Sequence, residues 1–257
     1  MLSSTMKSHR AMHTLTPRGY RGAAASSAMA RQRFADIAMS VAYFAIGFAP
    51  ITALAISLMG FLPLWISAWV VVVPAAGLGV LLGIRFPRYG TLALKGFGIG
   101  IIAVTLYDGM RAPFIALGIW GDFIPNIGGW LLNTPHPSWL MGYLYRYLGD
   151  GGGMGMAFTV GYSLLRPRLR CWLAAIGYGL AIWGCLMLTL LLAPNGQESM
   201  FRLTPTSFTL SLLGHVVYGA TIGVVLTRSL RNSPRAYRQA RRVLREASGA
   251  YATLSRS

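Results

Sequence analysis

Charge is scarce in this chain, and negative charge is almost missing. Only 11% of its 257 residues are charged, and six Asp and Glu stand against 23 Lys and Arg. So few charges cannot cover a soluble globule of this length. With 54% hydrophobic residues and a mean hydropathy of +0.53, the chain reads as a membrane protein. Cysteine is nearly absent too. Cys171 and Cys185 lie fourteen residues apart on one apolar run, about 21 Å along a helix, too far to bridge each other. No CxxC or Cys/His cluster points to zinc or iron, so no cofactor is expected. Also missing are GxSxG, HExxH, a P-loop, a dinucleotide fingerprint and the intramembrane histidine pair that haem or di-iron would need. These absences argue against an enzyme, although an enzyme that modifies lipid without such a motif stays open as a third choice.

What the chain has in quantity is long apolar runs. About 20 residues cross roughly 30 Å of hydrocarbon, and six runs qualify: 37–60, 64–84, 92–119, 142–165, 171–193 and 208–227. The expected fold is therefore all-α, a polytopic bundle of six transmembrane helices spanning 37–227. Six Lys and Arg precede the first run. Arg85 and Arg88 follow the second, Arg166, Arg168 and Arg170 follow the fourth, and eight more follow the sixth. The opposite side holds only Arg202 outright, while Lys95, Arg111 and Arg146 fall within runs. This asymmetry places both termini in the cytoplasm. The net charge of +17 then follows from topology and anionic headgroups and requires no nucleic acid.

Residues 1–36 form a basic leader, without an acid in the first 33, whose composition suits a disordered cytoplasmic segment or an organellar transit peptide. The bacterial inner membrane is the preferred location and the mitochondrial inner membrane the alternative. Residues 228–257 form a basic tail. In it, Ser233 and Pro234 start a helix with Tyr237, Ala240, Leu244, Ala247 and Tyr251 on one side, suited to lying on anionic lipid headgroups. Pro50 and Pro74 should kink the first two spans, and the short link Phe61–Leu62–Pro63 makes those spans an antiparallel hairpin. The connection 120–141 reads as an outer loop with Trp120, Trp130 and Trp139 as interfacial anchors; a shallow dip of its apolar centre into the bilayer is the alternative.

Small residues four apart let membrane helices approach closely, and Gly96 with Gly100, Gly151 with Gly155, and Gly219 with Gly223 have that spacing. They indicate a compact bundle, open to homo-oligomers or to assembly with other membrane subunits. Ser163 and Ser211 read as packing residues rather than nucleophiles.

Ionisable residues within the runs are the functional signal. At 1.5 Å per residue, Asp108 falls about 5 Å below the outer boundary, Arg111 and Arg146 at it, Asp150 about 6 Å and His215 about 10 Å beneath it. Asp108, Asp122 and Asp150, half of all the acids, lie in or just above this layer. Asp108 and Arg111, three apart, can pair on one helix, as can Arg146 and Asp150 across one turn. Such pairs serve register alone, or serve a site. Charged groups at one depth on several helices point to a site, and His215 beside Tyr218 adds a group that titrates near neutrality. The candidates are Asp108, Arg111, Arg146, Asp150, His215 and Tyr218. They suit a shallow outward-facing pocket for a small polar or anionic ligand, with Arg111 and Arg146 as counter-charges, or a proton path. Asp108, Asp150 and His215, with His136 from the loop, have no recognised metal-ligand spacing, so no metal is expected. The leading expectation is a protein that binds or transports a small polar ligand or proton, and the alternative is a structural or accessory subunit without chemistry.

Overall fold

The computed structural model describes residues 17–165, 167 and 169–231, with side chains from residue 27 to 230. Within that range the chain is helical and has no strand. The surface helix expected in the tail, and Arg166 and Arg168, lie outside the described residues.

The first helix, α1, runs Pro17–Leu58 and starts twenty residues before the apolar run does. The leader therefore does not end at residue 36 as a separate segment. The stretch before the apolar run is rich in alanine and straight-chain residues, which favour helix, and Gln32 donates to Asp36 one turn on. Pro50 is accommodated inside α1. The helix stops at Gly60, whose positive φ of 78° lets the amides of Gly60 and Phe61 turn back onto Ser57 and Ile56. The same device, at Gly118 with φ 70°, ends the helix Pro87–Ala116, α4.

After the short link, α2 (Leu64–Ser67), a π-helical stretch (Ala68–Val72) and α3 (Val73–Arg85) form one apolar rod. Pro74 lies just beyond the π turn, where the widened backbone absorbs the missing donor and the ring. This rod packs on the edge of the bundle and buries little of itself. Helix α4 (Pro87–Ala116) follows. The connection expected as a plain loop instead contains a short helix, α5 (Ile124–Leu131), with Ile124 and Ile127 fully buried. Then α6 (Trp139–Leu144), a second π-helical segment (Tyr145–Gly152) and α7 (Gly153–Leu165) form one continuous helical run. The chain continues through α8 (Cys171–Leu192), the short α9 (Gly196–Ser199) and α10 (Pro205–Arg231).

Among the described residues, five helices are long and apolar enough to cross a membrane: Ser27–Leu58, Leu64–Arg85, Pro87–Ala116, Cys171–Leu192 and Pro205–Leu230. Their outer faces carry large apolar side chains such as Val41, Trp69, Leu81, Leu94, Leu106, Leu188 and Leu191. Apolar surface this continuous belongs in a lipid bilayer, where every backbone group must bond within the helix.

Neighbour packing sets the order α1, α7, α4, α10, α8 around an arc. Glycine makes the closest approaches. A Cβ on Gly100 would overlap the Gly151 carbonyl, and Gly96 lies against Gly155 and Met156, so α4 and α7 meet backbone to backbone. Gly219 meets Ala175, and Gly223 meets Trp172, across the α8–α10 contact. Helices α1 and α8 close the two ends of the arc; Phe48 of α1 meets Tyr178 of α8 edge to face at 6.0 Å, and the two helices otherwise pack little against each other.

Candidate functional site

Two charge clusters lie at the end of the bundle that α5 covers. Each leaves some buried polar atoms without a hydrogen-bond partner, and they differ in that Arg111 and Asp122 pair directly while Asp150 has no direct partner among the described residues. The first is built around Arg111, in the last turns of α4 and 1% exposed. Its Nη2 donates to Asp122 Oδ1, and its guanidinium lies over the rings of Trp120 and Phe123, 5.5 and 5.0 Å from their centroids. Asp122 accepts two more bonds, from the Tyr143 hydroxyl at 3.1 Å and the Ile124 amide at 3.3 Å. It thereby ties the start of α5 to both α4 and α6.

This arrangement corrects two expectations. Arg111 does not pair with Asp108 three residues away; it reaches a partner beyond the end of its own helix. Nor is Trp120 an interfacial anchor. It is buried beneath Arg111 and edge-on to Phe201, because a guanidinium removed from water needs aromatic faces as well as a carboxylate.

The second cluster gathers residues from three helices. Arg146, in the π segment, donates to Asp108 of α4 at 3.2 Å, and its guanidinium stands 4.7 Å over the Tyr107 ring. The Arg146–Asp150 pair expected along one helix is thus displaced by a bond between helices. Asp108 and Asp150 both lie within electrostatic range of Arg146. Asp150 is 3% exposed, and its Oδ1 has no hydrogen-bond partner in the protein. On α10, the Nδ1 of His215 is 2.8 Å from the Ser211 carbonyl, which can only accept, so Nδ1 carries the proton and Nε2 is left with a free lone pair. The ring also meets Tyr107 edge to face at 5.3 Å. Tyr218, one turn on, donates its hydroxyl to the Gly151 carbonyl at 2.8 Å, so it holds the π segment and offers no free donor.

The sequence places this cluster through glycine. In GDGGGMG, Gly149, Gly151 and Gly152 admit Pro50, Val104 and the Phe97 ring against the backbone itself. In the π turn, hydrogen bonds reach from residue i+5 back to i, so the helix is wide and carbonyls become available to side chains. Tyr145 donates to Pro50 at 2.6 Å on the same segment, which fixes it against α1.

Arg146, Asp150, Tyr107 and His215 line a cavity of about 260 Å³ inside the arc. Its remaining wall is mainly apolar, including Phe48, Ile51 and Leu54 of α1 and Ile182 and Leu186 of α8, with Thr52, Cys185 and Thr189 among them. Phe123, Ile124 and Ile127 with Met200 form its roof, part of the largest apolar core. The cavity is therefore not a shallow cup open past α5. Arg111 belongs to the other cluster and takes no part in its wall. A larger groove of about 640 Å³, between α1, α3, α4 and the π segment, is lined by apolar residues and glycine apart from Tyr43 and Tyr145.

Asp108, Asp150 and His215 do not form a metal-binding group, and no cluster of three His, Cys, Asp or Glu exists among the described residues. His136 is exposed in the turn after α5, outside the cavity wall. Sequence reasoning overlooked Tyr107, which bridges Arg146 and His215. The one signal for it was adjacency to Asp108, and on a helix adjacent residues face different ways. No protein-family model, curated protein or solved structure matches this chain.

Proposed function

We propose that this chain is a six-span inner-membrane protein with both ends in the cytoplasm, and that it binds or transports a small polar ligand or proton in the cavity beside Asp150. The sixth span is the run 139–165, whose length at 1.5 Å per residue is about 40 Å, enough to cross hydrocarbon with its π turn included. Six crossings leave the flanking basic residues on one side and set the cavity in the outer layer of the bilayer. The basic tail then meets anionic headgroups on the inner face.

One observation carries the functional reading: a buried carboxylate on a cavity wall with an oxygen that nothing in the protein satisfies. Leaving such a group without a direct partner costs several kcal/mol, whereas Arg111 and Asp122 at least form an ion pair with each other. Asp108 and Asp150 together against Arg146 leave one negative charge when all three are ionised. A proton or a bound donor removes that imbalance, and His215 offers a second acceptor in the same wall.

The test is native mass spectrometry of the protein from mild detergent, with proteoliposomes monitored for pH-driven proton flux. A small molecule or a proton flux present in the wild type and lost in Asp150→Asn and His215→Ala supports the reading. Ligand-free wild-type spectra together with no flux remove it.

A further inference from the structure

The wall of the cavity names a ligand class and a way in, and this step rests on the ligand reading just given. The roof of Phe123, Ile124, Ile127 and Met200 is apolar and offers no polar path past α5. The flank is different. Thr52 of α1 and Cys185 of α8 both line the cavity and are both exposed at the surface of the bundle, beyond the Phe48–Tyr178 contact that joins α1 and α8 and where the two helices pack little. These residues lie within apolar spans whose outer faces are covered by hydrocarbon, six and seven residues before the ends at Leu58 and Leu192. The gap between them therefore opens sideways into the bilayer, and what enters by it is soluble in lipid.

The polar end of that molecule is set by what the cavity leaves unmatched. Asp150 Oδ1 and the Nε2 of His215 are acceptors without a partner from the protein, as is Asp108 Oδ2, while Arg146 is engaged by Asp108 through Nη2 and keeps one buried N–H, at Nε, unmatched. With Asp108, Asp150 and Arg146 all ionised the cluster carries one excess negative charge, which a bound cation neutralises in place of a proton, so it favours a positive donor and disfavours a carboxylate or phosphate. At about 30 Å³ per water, the volume equals roughly nine waters, room for a head and a few carbons while the remaining tail leaves through the gap. We infer that the cavity binds an amphipathic molecule bearing an ammonium group, which enters laterally between α1 and α8 and seats its head on Asp150 and His215.

Dodecylamine, 1-dodecanol and dodecanoic acid test head chemistry at constant tail length. The full chain is placed in phosphatidylcholine nanodiscs containing an equal fraction of each in turn, and retained amphiphile is counted by native mass spectrometry. The expected result is one dodecylamine per chain, retained about ten-fold over the alcohol and the acid, the size of effect one buried charge-assisted bond gives. Asp150→Asn should abolish the preference. Cys185→Trp and Thr52→Trp, which fill the gap from exposed positions, should each slow uptake while far-ultraviolet circular dichroism stays unchanged. Equal retention of the three amphiphiles, or an undiminished amine preference in Asp150→Asn, overturns the inference. If all three are excluded while a co-purified ligand or proton flux still depends on Asp150, the inference fails and the broader reading of the site stands.

Discussion

Arg111 and Asp150 are both buried charges in one protein, and their neighbours give them opposite energetics. Arg111 has a carboxylate and two aromatic faces, although its Nε and Nη1 find no hydrogen-bond partner; Asp150 has no hydrogen bond or ion pair at all among the described residues. Removing a partner from a buried ion pair typically costs about 3–5 kcal/mol, because the remaining charge is left uncompensated. Asp122→Asn should therefore lower the thermal unfolding midpoint clearly. Asp150→Asn removes an uncompensated charge at constant shape, so it should leave the midpoint unchanged or raise it. Thermal unfolding in one detergent, followed by circular dichroism, compares the two directly. A large loss in Asp150→Asn would mean that its carboxylate is part of the scaffold, and would count against a ligand site.

At the scale of the element, the feature that organises the site is the π segment Tyr145–Gly152, seated on α4 and α1 through glycine. A Cβ at Gly100 meets the backbone of α7, whereas one at Gly98 meets nothing within van der Waals reach. Overpacking a tight contact typically costs about 1–3 kcal/mol, and an alanine in an open helical position improves propensity. Gly100→Ala should thus destabilise the bundle, and Gly98→Ala, two residues away, should be neutral or mildly stabilising; unfolding by sodium dodecyl sulfate titration measures both. If Gly100→Ala proves equally neutral, α4 and α7 are not held at backbone contact. The small-residue spacing was visible in the sequence, yet which glycine met which was not, because four-residue spacing marks a face and leaves the partner helix unnamed. The π turn was not visible either. The segment's glycines lie against Pro50, Phe97 and Val104, which arrive from two other helices that the local sequence does not name.

Across the whole molecule, what was legible followed from each helix alone. Apolar length located the helices, and rise per residue brought Asp108, Arg146, Asp150 and His215 to one level, which is where the second cluster gathers them. Pairing was misread because spacing along one helix proposes only local partners. Arg111 found Asp122 past the turn, and Arg146 found Asp108 across a helix boundary. The roof over the cavity was hidden for the same reason: the run Phe123 to Leu131 is too short to announce itself as a helix, and its burial depends on Leu190, Met200 and Phe201 from late in the chain.

Charge asymmetry is the one signal that speaks to orientation, and it makes a prediction for the molecule as a whole. With 139–165 as a span, the exposed turn after α5 lies on the face opposite the Arg85 and Arg88 link and both chain ends. In a background carrying Cys171→Ala and Cys185→Ala, a single cysteine is introduced as Ser4→Cys, His136→Cys or Ser257→Cys. An impermeant maleimide applied to intact cells should label only His136→Cys, and the other two should react only after permeabilisation. Labelling of Ser4→Cys and Ser257→Cys from opposite faces would make the number of crossings odd. The run 139–165 would then be the segment to remove, since its centre is the glycine-rich π turn and its first half carries Arg146 and Asp150. In that case the cluster beside Asp150 would lie at a protein–water boundary, where water rather than a ligand satisfies the carboxylate. The labelling pattern thus bears on the site as directly as on the topology: only a continuous crossing keeps Asp150 in a medium where its unmatched oxygen demands a partner.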